Sequence, residues 1–418
     1  MRTVAVIGAS LAGLSASRSL REQGYDGRLV IVGAETHRPY DRPPLSKEFL
    51  TGKVAEAELA LEADGEDLAA EWVLGACAVG LETGERSVRL ADGRAVRADG
   101  VVIATGAAAR TLPGGDGPAG VHVLRTLDDA RGLRDDLARG GRLVVIGGGF
   151  VGAEVASTAA VMGLDVTFVV AGPTPLAGPL GPDMAAAVSV LHADHGVRLL
   201  CGTGVRGLVG KGASPAVLPS GLRGAEATEV SGGAAGRGRV GAVVLDDGRS
   251  IPADIVVVGI GAVACTDWLE GSGVALDNGV RCGADGTTSV PGVVAVGDCA
   301  AWYDAASATH RRVEHWTGAN ERPAAAVAAL LSGGTAPPAP PRPPYFWSDQ
   351  YGVRIQFVGN AARADSVTVE DGSPADRSFL AVYRRAGEPV AVLGVDRTKL
   401  FTRRRKQLAT SVARGATA

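Results

Sequence analysis

The chain has 418 residues, too many for one ordinary hydrophobic core, so two or three domains are expected. Its 60 glycines, 46% apolar residues and few aromatics suit an α/β protein with many tight strand–helix turns, and a net charge of −3 excludes a general attraction to nucleic acid or to a membrane surface. No uncharged apolar run reaches membrane-spanning length, and strand chemistry begins at Val4 without a basic, then apolar leader, so a cytoplasmic protein is expected.

The first element is the strand RTVAVIG, followed by a Gly-rich turn and a helix start in VAVIGASLAGLSA, Val4–Ala16. The spacing is that of a dinucleotide-binding turn at Gly8 and Gly13, but Ser10 stands where the middle glycine normally lets backbone approach a pyrophosphate. A second buried strand, LVIVGAE, ends at Glu35. That is roughly 20 residues past the turn, where a carboxylate can accept both ribose hydroxyls of an adenosine. SVRLADGRAVRA carries a hairpin signal at Asp92-Gly93, and VVIATGA, Val101–Ala107, closes the unit with Thr105 and Gly106 in its turn.

The plan then repeats. RLVVIGGGFVGAE has the full G-x-G-x-x-G at Gly147, Gly149 and Gly152, VTFVVAG is the second strand, Asp247-Gly248 the hairpin, and IVVVGIGA, Ile255–Ala262, the closing strand with Gly261. Continuous Val/Ile runs are characteristic of parallel strands covered on both faces. Gly210–Gly238 reads as a long inserted loop without a catalytic role. In AVGDCA, Asp298 follows another buried strand, where a carboxylate suits a hydrogen bond to a polyol such as ribityl.

A helical pattern runs from about Asn320 to Leu331, and Gly333–Pro344 is a proline-rich linker. Beyond it Val353, Ile355 and Phe357 alternate with Arg354 and Gln356, FLAVY and VAVLGV flank a turn near Gly387, and a basic helix covers Thr398–Ala413. The expected fold class is α/β: two Rossmann-like dinucleotide-binding domains, one for FAD and one for NAD(P), with a small C-terminal α/β domain. The expected boundaries are residues 1–112 and 264–332 for the first, 113–263 for the second, 333–344 for the linker and 345–418 for the third.

VIGASLAG, VGAETHRPYDRPPLSKEFL, ATGA, GGGFVGAE, AVGDCA and PYFWSDQYGVRIQFVG together resemble the FAD-dependent ferredoxin reductases of oxygenase systems, of the putidaredoxin reductase and biphenyl-dioxygenase reductase type. The resemblance spans nearly the whole chain, and the RPYDRPPLSK and FWSDQYG blocks are far more specific than any glycine motif. It implies an enzyme that takes hydride from NADH (or NADPH) onto FAD and passes single electrons to a [2Fe–2S] ferredoxin serving a cytochrome P450 or Rieske oxygenase. Gly8, Ser10, Ala12, Gly13, Glu35, Thr105, Gly106 and Asp298 would border the FAD, with Ala78 on its adenine side. Arg42, Pro44, Lys47, Arg125, Glu314, Trp316 and Trp347 would lie near the flavin. Gly147, Gly149, Phe150, Val151, Gly152, Glu154 and Gly261 would take the nicotinamide nucleotide. Lys47, Glu154 and Trp347 would be the catalytic group, Lys47 as a cation near the flavin N5 edge and Trp347 covering the ring from the third domain. No metal site, nucleic acid or membrane partner is expected, and the chain would be a monomer or homodimer.

One departure concerns the second unit. The resembled family usually ends the VTFVVAG strand in an acid that reads the ribose 2′-hydroxyl; here Val170, Ala171 and Gly172 stand there, with no arginine nearby for a 2′-phosphate. NADH is favoured by the resemblance alone. Three other readings are weighed: a rubredoxin reductase, a flavin-dependent peroxidase, oxidase or disulfide reductase, and an NADH-sensing flavoprotein of the apoptosis-inducing-factor type. The second needs a reactive cysteine beside the flavin. At the corresponding helix start the chain has Ser46-Lys47, and Cys77, Cys201, Cys265, Cys282 and Cys299 read as small buried hydrophobes.

Overall fold

The computed structural model describes residues 1–113, 117–212, 238–305, 307–334 and 343–415. Most of the expected 210–238 insertion and of the 333–344 linker lies outside the described residues. No helix among the described residues is long and apolar enough to cross a membrane.

Two parallel five-stranded sheets repeat one plan. In the first, Thr3–Ile7 lies between Arg28–Gly33 and Gly100–Ile103, with Ala70–Leu74 at one edge and Val293–Ala295 at the other. In the second, Arg142–Ile146 lies between Asp165–Val170 and Ile255–Val258, with Arg198–Cys201 and Val121–His122 at the edges. Their central strands are buried almost end to end, as their Val/Ile composition requires of strands covered on both faces. Short strands after the closing turns, Ala107–Ala109 and Ala262–Ala264, pair antiparallel and tie one unit to the other. Both Asp-Gly hairpins form, with Gly93 and Gly248 at φ +86°.

The C-terminal sheet is antiparallel, in the order Tyr345–Gln350, Val353–Gly359, Glu388–Val395, Ser378–Arg385, Ser366–Ser373, with the helix Thr398–Gly415 packed on it. Ala386 and Gly387 turn its hairpin at positive φ. The alternation expected for Val353–Phe357 holds only in part. Gln356 is buried and donates to the Tyr345 hydroxyl at 3.0 Å, because this strand is internal and covered on both faces. The helix expected from about Asn320 begins earlier, at Trp316, with Ala319 N–H bonded to the His315 carbonyl. Gly318 and an aromatic first residue hide that first turn from propensity.

The two Gly turns show which glycines the protein itself needs. At Gly8, φ is +123° and a Cβ would lie 2.0 Å from the Ala104 carbonyl oxygen; at Gly147, φ is +107° and a Cβ would lie 2.2 Å from that of Gly259. Gly13 and Gly152 are equally constrained, their Cβ positions falling 1.8 and 2.4 Å from the carbonyl oxygens of Gly8 and Gly147. The middle position differs. A Cβ on Gly149 would meet nothing nearer than 3.9 Å, and its first-unit counterpart is Ser10, the residue before the helix Leu11–Glu22. Among the described residues no atom demands a glycine there, so a demand for one would come from a ligand.

The second and third units meet at the Tyr351 turn. Tyr351, at φ +55°, stacks on His195 at 4.0 Å, bonds Nδ1 of His192 through its hydroxyl at 2.8 Å, and takes the Ser157 hydroxyl on its N–H at 2.7 Å. Burial pushes the His192 imidazole down to about 4.

Gly147→Ala should lower the thermal transition sharply, on the order of 3 kcal/mol or more. Gly149→Ala should leave it within a degree or two while weakening binding of the nicotinamide nucleotide. Thermal melts and nucleotide titration of both variants check this. The folded chain keeps His192 neutral where an unfolded one takes a proton. Its contribution is therefore intact above pH ~6.5 and lost towards pH 4, at about 1.4 kcal/mol per pH unit. Melts at pH 7 and pH 5 should show a smaller acid loss in His192→Gln than in the wild type.

Candidate active site

The end of the first sheet gathers charged side chains over the first Gly turn. Gly33 ends its strand and the chain turns to place Glu35 beside Tyr40 and Arg42. The Tyr40 hydroxyl donates to Glu35 Oε2 at 2.5 Å and accepts the Leu127 N–H at 2.9 Å, linking Glu35 to the first turn of the helix Leu127–Ala138. Burial raises the Tyr40 phenol, so it stays a proton donor. Arg42 donates to Glu35 Oε1 at 2.7 Å, to the Ser10 hydroxyl at 3.4 Å and to the Arg125 carbonyl. Arg125 pairs with Asp298 at 2.5 Å and donates to the Ala107 carbonyl at 2.8 Å. A Cβ on Gly297 would lie 2.7 Å from the Ala12 Cβ, so the Gly297-Asp298 turn sits directly on the helix start.

This arrangement fits FAD. The helix beginning at Leu11 presents unpaired N–H groups and a positive dipole end, the chemistry that holds a pyrophosphate. Glu35 would meet ribose hydroxyls and Asp298 a polyol. Gly106 and Gly261 close the two turns at φ +69° and +108°, with no protein atom within 4 Å of where a Cβ would stand. Backbone at these two turns is therefore open to close approach.

A second cluster lies where the three sheets meet. Glu154 is on the helix Phe150–Val161, whose residues Gly152–Ala159 are all buried, and is itself only 6% exposed. A carboxylate in such a place must be paired. Glu154 Oε2 accepts from Lys47 Nζ at 2.7 Å and from the Ser46 hydroxyl at 2.5 Å, and Oε1 from the Ser348 hydroxyl at 2.8 Å. Ser46 and Lys47 come from the RPYDRPPLSK segment and Ser348 from the first strand of the C-terminal sheet. Asp41 and Asp349 lie close by. Burial raises both carboxyls, and the Lys47 charge partly offsets the rise.

Aromatic rings border the cluster. Trp316 donates its indole N–H to Asp41 at 2.9 Å and meets Trp347 edge-on at 6.1 Å. Trp347 stacks on Tyr345 at 5.9 Å, and Phe150 packs on Phe346 at 4.5 Å. His315 lies against Phe346 at 5.2 Å with its Nδ1 buried and unpartnered, and burial holds its imidazole down to about 4.

Ser10, Ala12, Glu35, Arg42, Arg125 and Asp298 thus form one connected group, and Lys47 and Glu154 the core of a second. Pro44 starts the short 3-10 turn that delivers Ser46 and Lys47. Thr105 donates its hydroxyl to the Cys265 carbonyl at 2.7 Å, across the paired turns. Glu314 is exposed and pairs with Arg312, which donates to the Asp298 carbonyl at 3.2 Å. Val151 is 39% exposed beside Phe150. Ala78 starts a strand of a separate three-stranded sheet and packs on the first core. Val170 is 3% exposed, and a Cβ on Gly148 would lie 2.7 Å from its Cγ1, so its side chain is buried under the second turn.

Sequence reasoning passed over Tyr40, Asp41, Ser46, Phe346, Ser348 and Gln350. All lie inside the two specific blocks it quoted. Polar residues two apart that share a strand face with Phe346, as Ser348 and Gln350 do, were the available signal.

Comparison with known proteins gives the family. Residues 2–322 match the model of the pyridine nucleotide-disulphide oxidoreductases and residues 345–418 that of the reductase C-terminal domain. The chain is similar to the biphenyl dioxygenase system ferredoxin–NAD(+) reductase component of Paraburkholderia xenovorans, at 34% identity over 96% of this chain and 91% of the relative. It is also similar to putidaredoxin reductase of Pseudomonas putida, at 33% identity over 95% and 89%. Among solved structures, the covalent putidaredoxin reductase–putidaredoxin complex matches with a TM-score of 0.87 and 31% identity over 98% of this chain and 93% of that one. The ferredoxin reductase for the CYP199A2 system of Rhodopseudomonas palustris gives 0.84 and 32% over 96% and 93%. The chain is a member of the pyridine nucleotide-disulphide oxidoreductase family, an FAD- and NAD(P)H-using flavoprotein of the ferredoxin reductase type with a reductase C-terminal domain.

Proposed function

We propose that this enzyme moves electrons from NADH, through FAD, to a [2Fe–2S] ferredoxin that serves a cytochrome P450 or Rieske oxygenase. The observation that carries the reading is the Lys47–Glu154 pair, which joins the first Gly unit to the helix of the second Gly turn at 2.7 Å. That ion pair ties the first unit to the helix of the second Gly turn, where the two nucleotides would meet. Bound FAD supplies the hydride acceptor and one-electron donor that no side chain provides.

The side chains bind, orient and screen. Ser10, Ala12, Gly13, Glu35, Arg42, Arg125 and Asp298 hold the FAD, and Gly147, Gly149 and Gly152 receive the nicotinamide nucleotide with Phe150 and Glu154 beside its reactive end. Lys47, with its side chain 11% exposed, is a cation kept out of water, where its field on developing negative charge is strong. Trp316, Trp347 and Phe346 exclude water from the same place. The parts are residues 1–112 with 264–332 for FAD, 113–263 for NAD(P)H and 345–418 for the acceptor side. The pairing of Val293–Ala295 with Gly100–Ile103 supports the return of the chain to the first part.

The peroxidase and disulfide-reductase readings are disfavoured by the thiols. Ser46 stands beside Lys47, and burial pushes the Cys299 thiol up to about 11 and raises those of Cys265 and Cys282. All five cysteines are free, which suits a cytoplasmic enzyme, but Cys77 and Cys201 are exposed rather than buried as expected. The acceptor side is basic at the C-terminal helix. Arg405 lies over the Tyr345 ring at 3.9 Å and Tyr345 stacks on Trp347, with Arg403 and Lys406 exposed alongside. Arg312 and Arg404 are instead paired with Glu314 and Glu370, and Arg311 lies 3.6 Å from Asp304. An acidic ferredoxin would find this face complementary.

NADH-driven cytochrome c reduction should rise at least tenfold when a [2Fe–2S] ferredoxin is added; no rise with any ferredoxin or rubredoxin would favour the sensing flavoprotein. Trp347→Ala should slow ferredoxin reduction more than dye reduction, and equal losses would remove Trp347 from the electron path. Ser10→Gly should retain FAD. Steady-state kinetics should give NADH the higher kcat/KM, with a modest margin over NADPH because a buried Val170 neither attracts a 2′-hydroxyl nor repels a 2′-phosphate.

A further inference from the structure

We propose that Ser348 is a positioning residue for hydride transfer, its hydroxyl fixing the plane of the Glu154 carboxylate against Lys47. The proposal rests on the reductase reading above. Three donors reach Glu154, but they divide unequally: Lys47 and Ser46 both take Oε2, and Ser348 takes Oε1. Turning about the terminal torsion, which is intrinsically broad, moves both oxygens at once, so the donors on Oε2 restrain it from one side. A donor on Oε1 restrains it from the other and stiffens the plane. Among the described residues only Ser348 supplies that second restraint.

The surroundings show that this hydroxyl is committed. Ser348 and Gln350 are both fully buried. An ionised carboxylate only accepts, so the single Ser348 proton points to Glu154, and the Ser348 oxygen is left to accept from Gln350 Nε2 at 3.1 Å. That direction dictates how the Gln350 amide lies. Its Oε1 then has no partner in a buried position. A buried, unpaired amide oxygen is costly, and an apolar residue would fill the strand without that cost. The strand instead carries a polar pair whose outcome is one oriented donor on Glu154. Ser348 is also adjacent to Trp347, on the opposite face of the same strand. The strand that presents Trp347 to the acceptor side therefore also aims the carboxylate at the hydride side.

The test is a double-mutant cycle on the FAD-loaded enzyme, with Ser348→Ala, Ser348→Cys, Glu154→Ala and Ser348→Ala/Glu154→Ala. The readouts are the NADH-driven loss of the flavin band by stopped flow, the NAD+-induced change in the oxidised flavin spectrum, and the thermal melt. Ser348→Ala should lower the limiting rate about tenfold, the loss of one hydrogen bond to a charged group. The NADH concentration dependence should move less than twofold. Ser348→Cys, close in size with a feeble donor, should behave like Ala. The NAD+-induced spectral change should be altered in both variants. In the Glu154→Ala background, Ser348→Ala should change the rate less than twofold. A Cys variant with the wild-type rate, or an equal loss in both backgrounds, would show a packing role and overturn the proposal while leaving the reductase reading intact. A wild type whose flavin band NADH does not bleach would sink the reductase reading itself.

Discussion

Everything at this site depends on one buried carboxylate. Glu154 is the one charged residue of its helix, in the buried stretch Gly152–Ala159, and taking a charge out of water costs several kcal/mol unless opposite charge and hydrogen bonds replace the solvent. Here the replacements come from elsewhere in the fold: Lys47 and Ser46 from the first unit and Ser348 from the C-terminal sheet. Removing Lys47 would leave an uncompensated buried anion, a loss of about 3–5 kcal/mol in comparable cases. The pair need not add net stability. Its effect is registry, because all three units must be docked before the carboxylate is satisfied. That constraint brings two nucleotide sites and an aromatic wall to one place.

The duplicated turn clarifies what a glycine motif means. Its first and third glycines are structural: a Cβ at Gly8, Gly13, Gly147 or Gly152 would overlap a carbonyl oxygen in this chain. The middle position answers to the ligand alone, and there the two units differ, with Ser10 in one and Gly149 in the other. The turn that departs from the motif is the better furnished. It has Glu35, held by Tyr40 and Arg42, and Asp298, held by Arg125. The turn with every glycine ends its reading strand in Val170, folded under Gly148. Motif completeness and site completeness are separate properties, and here they fall on different copies.

Much of the fold was legible in the sequence, because parallel strands covered on both faces must be Val/Ile runs and Asp-Gly and Gly turns announce themselves. The resemblance carried the whole-chain arrangement and most of the residues that converge. What escaped was of two kinds. The start of the helix at Trp316 and the burial of Gln356 depend on what packs against them, which periodicity within one segment does not contain. Ser348, Ser46 and Tyr40 escaped because their importance is relational. A serine in a strand is unremarkable until a carboxylate some 200 residues earlier in the chain is found to need its proton.

The account turns on a flavin at the first Gly turn that accepts hydride from a nicotinamide nucleotide at the second. The most direct measurement is the visible absorption spectrum of the purified protein, supplemented with FAD and titrated anaerobically with NADH. The account predicts flavin bands that survive desalting and bleach on adding NADH in amounts stoichiometric with the flavin. A protein without flavin bands even after FAD addition, or a bound flavin indifferent to both NADH and NADPH, would contradict it.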